Sequence, residues 1–186
     1  AMYRTVGLLA VRTNTDRHDD AALAELLKNA DIRVLRVDGS QHMALGGEDV
    51  EKLIRTPEIS MAASDVASCP SVRRALVALQ QKIAAGCDVV MDGRDIGTRV
   101  LPDADYKFFL TASDKVRAQR RYDELKAKGE SVTLQEVLED VRRRDEQDTT
   151  RAESPLTIAD DATEVETDDL GIDEVVTVLM ALMGRF

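Results

Sequence analysis

The chain has 186 residues, 44% of them hydrophobic, which suffices for one full-sized domain with a buried core and a small inserted subdomain. A formal net charge of −10 argues against a general binder of DNA or of anionic membranes, since such proteins present a basic field to phosphates. Three Phe, three Tyr and no Trp leave few platforms for stacking bases, so an RNA-binding α/β domain fits poorly as well.

In chain order, "AMYRTVGLLAVRT" reads as helix, with Met2, Val6, Leu9 and Ala10 on roughly one face, and nothing before Ala1 caps it. "DDAALAELLKNA" is a second amphipathic helix whose first turn is acidic, as the helix macrodipole favours. The period then shortens. "IRVLRVDGSQHMALGGEDV" alternates apolar and polar residues about Asp38-Gly39, predicting a β-hairpin that breaks at Gly46-Gly47. Thr56-Pro57-Glu58 supplies a cap, a proline at the first helical position and an early acid, for a helix to about Ser68. Pro70 starts another, which "SVRRALVALQQKIAAG" carries to a glycine stop.

"DVVMD" is a nearly uninterrupted apolar run, as expected of a strand buried on both faces, and "DYKFFLT" is a second. A helix from about Ser113 to Lys128 follows, then a capping box, Thr133-x-x-Glu136, for a helix through about Gln147. "TEVETD" is a weaker third strand and "IDEVVTVLMALM" a closing amphipathic helix. Strands alternating with helices indicate an α/β fold with a parallel sheet, and the hairpin is a small antiparallel insert.

Arginine outnumbers lysine by 18 to 7, and guanidinium grips carboxylates and phosphates bidentately, so an acidic protein of this kind points to localised anion sites. Cys69 and Cys87 have neither metal-site nor disulfide-scaffold spacing and are read as structural thiols of a reducing compartment. His18 and His42 stand alone and are read as surface residues. No apolar stretch approaches the roughly 20 residues of a membrane span, and no positively charged leader precedes a cleavable apolar segment. A soluble, cytoplasmic protein is expected.

Three groups of residues carry chemistry. "MDGRDIGT" lies at a strand's carboxyl end, where open parallel sheets bind ligands. There Gly93 permits a sharp departure, Arg94 can neutralise a phosphate, and Asp95 can accept from an amine or hydroxyl; the plain alternative is an ion pair organising a loop. Arg117, Arg120 and Arg121 fall on one helix face and repel one another unless an anion lies between them, or form a solvated face countered by Asp114 and Glu124. Arg144, Asp148 and Arg151 form one stripe if their helix runs far enough, although Thr149-Thr150 disfavours a long regular helix. Such a stripe could clamp a phosphate and a ribose hydroxyl, and as a plain helix salt bridge it would contribute only a few tenths of a kcal/mol.

Together, "AMYR", "GEDVEKLIRTPEIS", "AASDVASCPSVRRAL", "MDGRDIGT", "PDADYKFFLTAS" and "VRRRDEQDTTRAESPL" resemble, in order and over nearly the whole chain, the bacterial cytidylate kinases. The resemblance implies a P-loop-type parallel sheet flanked by helices. It assigns 1–30 and 86–186 to a core domain with a lid at about 113–147, and 31–85 to a nucleoside monophosphate-binding insert. It also implies transfer of the ATP γ-phosphoryl group to CMP or dCMP, with Mg²⁺ accompanying ATP, by a monomer.

By that resemblance Ser64, Arg73 and Asp95 recognise the cytosine edge, and Arg4, Arg94, Arg144, Asp148 and Arg151 hold the substrate's phosphate and sugar. Arg117, Arg120 and Arg121 close over the ATP phosphates. Arg94, Arg117 and Arg121 supply positive charge to the moving phosphoryl group, which needs positioning and electrostatics more than covalent help. Asp92 either orients water around the metal or braces its loop, and Arg55 either contacts the nucleotide or braces the insert. The family begins with a strand and a GxxxxGK[ST] phosphate loop that this chain lacks, so its first sheet strands are absent. Roughly 35 further residues are therefore expected upstream. The alternative is a non-catalytic CMP-binding fragment.

Overall fold

A computed structural model describes residues 1–150 and 155–184. The chain forms two compact units, Ala1–Val89 and Val90–Phe186, and no helix among the described residues is long and apolar enough to cross a membrane.

In the first unit, α1 (Met2–Arg12) packs on α3 (Pro57–Ala67) at a point where only glycine fits. A Cβ on Gly7 would lie 3.0 Å from Ala63 N and 3.1 Å from Ala62 Cβ, so the missing side chain sets how near the two backbones come. α2 (Asp20–Lys28) keeps one acid, Asp20, in its first turn, while Asp19 caps it: the Asp19 carboxylate accepts from the N–H groups of Ala21 and Ala22, both at 3.0 Å. Thr56 Oγ1 caps α3 by accepting from Ile59 N–H at 3.3 Å, with Pro57 at the first position.

α4 (Pro70–Ala84) is capped in a way that local sequence does not announce, because Cys69 at its N-cap makes no side-chain capping bond. Asp20, fifty-one residues earlier, accepts from Ser71 N–H at 2.8 Å instead. Hydrogen bonds from Ser71 hold the Asp20 carboxyl below its ordinary range.

The hairpin joins β1 (Ile32–Val37) to β2 (Ser40–Leu45), with Val37 facing Ser40 across an Asp38-Gly39 turn at φ 49° and 80°. Two successive positive φ values match the right-handed strand twist and suit an Asp-Gly pair. Gly46-Gly47 does more than break the strand: at φ 59° and 84° it turns the chain back as β3 (Glu48–Asp49) on β2. Val6, Leu8 and Ala10 of α1 and Leu23 of α2 share one buried cluster with Met43, Leu45, Ile54, Val66, Val72 and Leu76. The first two helices therefore pack with the sheet and α3.

In the second unit, β4 (Phe108–Thr111) lies parallel to β5 (Thr163–Glu166), Phe108 opposite Thr163 and Thr111 opposite Glu166. The expected strand at "DVVMD" does not form: residues 88–92 are irregular and Val90 is fully exposed. An apolar run becomes a strand only where its N–H and C=O groups meet a neighbour, and no described strand pairs with it. α5 (Asp114–Ala127) is capped by Ser113, and α6 (Leu134–Thr150) by the Thr133–Glu136 box, with Thr133 N–H donating to Glu136 Oε2 at 2.8 Å.

α6 passes the expected stop at Gln147 and includes Thr149 and Thr150, whose hydroxyls donate to the carbonyls of Asp145 and Glu146 one turn back. In α7 (Ile172–Leu182) the Glu174 carboxylate accepts from Gly171 N–H at 2.7 Å.

Candidate active site

Within the first unit, α1, α3 and α4 gather three of the expected substrate residues. Arg4 donates from Nη1 to Ile54 O at 3.2 Å and from Nη2 to Ser60 Oγ at 3.3 Å, an alignment that follows from the close approach at Gly7. Ser64 is half-buried one turn beyond Ser60, on the same face of α3. Arg73 is 3% exposed on α4, donating to Ala67 O at 3.3 Å with its guanidinium 5.8 Å from the centre of the Tyr3 ring. A cation held so far from water is unusual for arginine, and the ring face beside it is a fitting electrostatic neighbour.

Within the second unit, a π-helical turn, Ile96–Val100, follows Asp92-Gly93-Arg94-Asp95, with Asp95 O accepting from Arg99 N–H at 2.9 Å and Val100 N–H at 3.2 Å. Wide turns of this kind aim a side chain out of the regular path and recur at functional sites. Asp95 is 6% exposed at its start. Gly93 does not serve through a left-handed backbone; a Cβ there would come within 2.8 Å of the Ile96 side chain, so its value is close approach.

Arg94 donates from Nε to Asp148 Oδ2 at 2.7 Å. Because α6 continues past Gln147, Arg144 and Asp148 do lie one turn apart on one face, and the loop's guanidinium joins them there. Arg151 lies outside the described residues. Asp92 is exposed and its carboxylate is unpaired among the described residues.

The three arginines of α5 each meet a separate protein acceptor, which relieves the repulsion that their spacing predicts. Arg117 makes a two-pronged bond to Asp145, Nη1 to Oδ1 at 2.8 Å and Nη2 to Oδ2 at 2.7 Å, while Nε donates to Ala112 O at 2.9 Å. The pairing raises the Arg117 pKa further above its ordinary value, chiefly through the hydrogen bonds it donates to Asp145. Arg120 donates to Thr167 O, to Thr167 Oγ1 at 3.2 Å and to Leu170 O at 3.0 Å, closing the turn between β5 and α7. Arg121 pairs with Glu124 at 2.6 Å, and Lys128 joins the same carboxylate at 2.5 Å. Together these bring the Glu124 carboxyl down to about 2. Arg55 binds Glu51, whose other oxygen accepts from Met43 N–H at 3.2 Å, so in this structure it ties β2 to the turn before α3.

Sequence reasoning missed Asp145, and read Asp114 as a countercharge on its own helix, although both acids bind α6 to α5. A signal existed: Asp114-x-x-Arg117 is followed by Arg142-x-x-Asp145 in reversed order, which suits two antiparallel neighbours. Asp114 indeed accepts from Arg142 Nε at 2.7 Å, and that bond holds its carboxyl below the ordinary range.

The cytidylate kinase family model matches residues 1–185. Among curated relatives, the cytidylate kinase of Caldicellulosiruptor bescii is 46% identical over 185 residues, covering 100% of this chain and 82% of the relative. That of Carboxydothermus hydrogenoformans is 47% identical over 185 residues, 100% of this chain and 83% of the relative. That of Caldanaerobacter subterraneus subsp. tengcongensis is 50% identical over 176 residues, 95% of this chain and 77% of the relative.

Proposed function

The chain belongs to the cytidylate kinase family, and from that membership we propose how its residues divide the transfer of a phosphoryl group from ATP to CMP or dCMP. Its activity is that of a nucleoside monophosphate kinase, a phosphotransferase acting on CMP with ATP and a metal ion. Nothing in the relatives favours the non-catalytic alternative.

Ser64, Arg73 and Asp95 read the cytosine edge, Asp95 as acceptor for the exocyclic amine. Arg4, Arg94, Arg144, Asp148 and Arg151 hold the phosphate and sugar of the acceptor. Arg117, Arg120 and Arg121 face the ATP phosphates, and Arg94, Arg117 and Arg121 stabilise charge on the group in flight. Functionally, 31–85 is the nucleoside monophosphate-binding region, and about 113–147 is the lid of a core that also includes 1–30 and 86–186.

The observation that best supports this reading is the Arg94–Asp148 bond at 2.7 Å, on the helix face that carries Arg144. A ribose hydroxyl and a phosphate need such an acid flanked by guanidinium groups, and a lone ion pair with Asp148 22% exposed would add little stability by itself.

For the metal we propose Mg²⁺, carried by the nucleotide. Among the described residues no three His, Cys, Asp or Glu side chains are grouped to hold an ion, and the residue we propose for it is Asp92, an exposed carboxylate acting through water. Bound there, the metal would supply positive charge to the phosphate oxygens. The protein is further taken to be a cytoplasmic monomer that acts on small nucleotides, not on nucleic acid or membranes. Its net charge of −10 and the free thiols of Cys69 and Cys87 support that reading.

Calorimetry with CMP and dCMP, run beside a coupled assay for ADP release, tests the assignment. Both binding and turnover are expected, with kcat/KM falling about 100-fold or more in Arg94→Ala. Binding of CMP with no ADP released would replace this reading with the non-catalytic one.

A further inference from the structure

Arg117 has both terminal nitrogens of its guanidinium held by one carboxylate of the protein itself. Asp145 sits on that edge in the two-pronged geometry that a phosphate would use, at 2.8 and 2.7 Å. The third donor, Nε, is spent on Ala112 O. Both side chains of the pair are 36% exposed, so solvent and anions reach them, and a pair in such a position is held only weakly against a competitor.

A polyphosphate with several negative charges outbids one carboxylate for that edge without first opening a core. The second clasp matters here. Arg142–Asp114 joins the same two helices at 2.7 Å without using Arg117, and Ala118 and Val137 are buried on them. Release of Asp145 therefore need not part α5 from α6.

We propose that Asp145 is an internal stand-in for phosphate: it occupies the fork of Arg117 until the donor nucleotide displaces it, and so sets the enzyme's affinity for ATP. The proposal rests on the reading of Arg117 as a contact of the ATP phosphates. Asp145 is a positioning residue on this view, acting on the reaction through Arg117, and its charge works against donor binding while keeping the guanidinium aimed in the resting enzyme.

The test compares Asp145→Asn, Asp114→Asn and Arg117→Met by steady-state kinetics with ATP and CMP varied separately. In Asp145→Asn the KM for ATP is expected to fall about two- to fivefold, the worth of an exposed ion pair removed from the competition, with the KM for CMP unchanged. Asp114→Asn breaks the other clasp and is expected to lower the melting temperature by about 1–4 °C while leaving the KM for ATP where it was. Arg117→Met raises the KM for ATP about tenfold or more.

A rise in the KM for ATP in Asp145→Asn overturns the proposal, since it makes the carboxylate a support rather than a competitor; so does no change in that variant. An unchanged KM for ATP in Arg117→Met instead overturns the assignment of Arg117 to the donor. A readout independent of folding variants is the side-chain ¹⁵N resonance of Arg117 in the unsubstituted protein titrated with inorganic tripolyphosphate. It should shift and lose its coupling to Asp145, and a resonance that stays in place sinks the displacement.

Discussion

The two units are held by different kinds of force. In the first, fourteen buried residues from α1 to α4 and the antiparallel sheet form one connected cluster, including Val6, Leu23, Met43, Ile54 and Leu76 at 1% exposure or less. In the second, the buried apolar residues among those described are Val100, Ala118, Val137 and Val165, one apiece on four separate segments, while Leu110, Val176, Met180 and Leu182 stay exposed. What ties the second unit together is directional: Arg117 to Asp145, Arg142 to Asp114, Lys107 to Asp161, Arg120 to the carbonyls of Thr167 and Leu170. Apolar burial gives a unit stability that scales with area and resists salt and pH, whereas exposed ion pairs give geometry at little net stabilisation. The contacts with ATP phosphates proposed for the second unit would draw on bonds of this exchangeable kind.

The sharpest way to break this comparison is to truncate one buried side chain in each unit. Leu76→Ala is expected to cost about 2–5 kcal/mol, because Leu76 is 1% exposed within the cluster and its neighbours cannot collapse fully into the space. Val165→Ala, in the centre of β5, is expected to cost only about 1–2 kcal/mol. Urea denaturation followed by residue-resolved hydrogen exchange measures both. Equal losses would mean that the second unit has a core as consequential as the first.

A second substitution tests whether the first unit's packing aims its functional side chains. Gly7→Ala gains about 1 kcal/mol in helix propensity but forces a Cβ to within 3.0–3.1 Å of the α3 backbone. The net expectation is a loss of about 1 kcal/mol, accompanied by a rise in the KM for CMP as Arg4 is pushed away from Ser60. Stability lost with the KM for CMP intact would separate the packing from the site.

Most local devices were legible in the sequence because they are written within four residues. The Thr56 cap, the Thr133–Glu136 box and the Asp38-Gly39 turn each need only neighbours in the chain. What was not legible depends on partners far along it. "DVVMD" has the composition of a buried strand, yet composition cannot supply the ladder partner that a strand requires. The spacing of the three α5 arginines predicts one shared face, but not the protein acceptors Asp145, Thr167 and Glu124 that each meets separately. Thr149-Thr150 read as a helix stop by propensity, and hydroxyl bonds to the preceding turn let α6 continue, which is what places Asp148 beside Arg94.

The smallest expected effect is the response to acid, and it falls unequally on the two units. Asp114, Glu124, Glu136 and Asp161 of the second unit all have carboxyls held below their ordinary range, by Arg142, by Lys128 and Arg121, by Thr133 and by Lys107 respectively. Glu124 goes furthest, from 4.5 to about 2. A carboxyl lowered on folding contributes its stability fully above its unfolded value and loses it as pH falls toward the folded one, because the unfolded chain takes up the proton first. For Glu124 the window is therefore about pH 4.5 down to 2. Its side chain is 47% exposed, so solvent screening leaves a contribution of about 0.5 kcal/mol or less. In the first unit Asp20, Glu48 and Asp49 are lowered in the same way, but a connected apolar core stands behind them. Hydrogen exchange between pH 5 and 3 should show amides of α5 and α6 losing protection before those of α1 and α3. The opposite order would mean that ion pairs, and not apolar burial, hold the first unit as well.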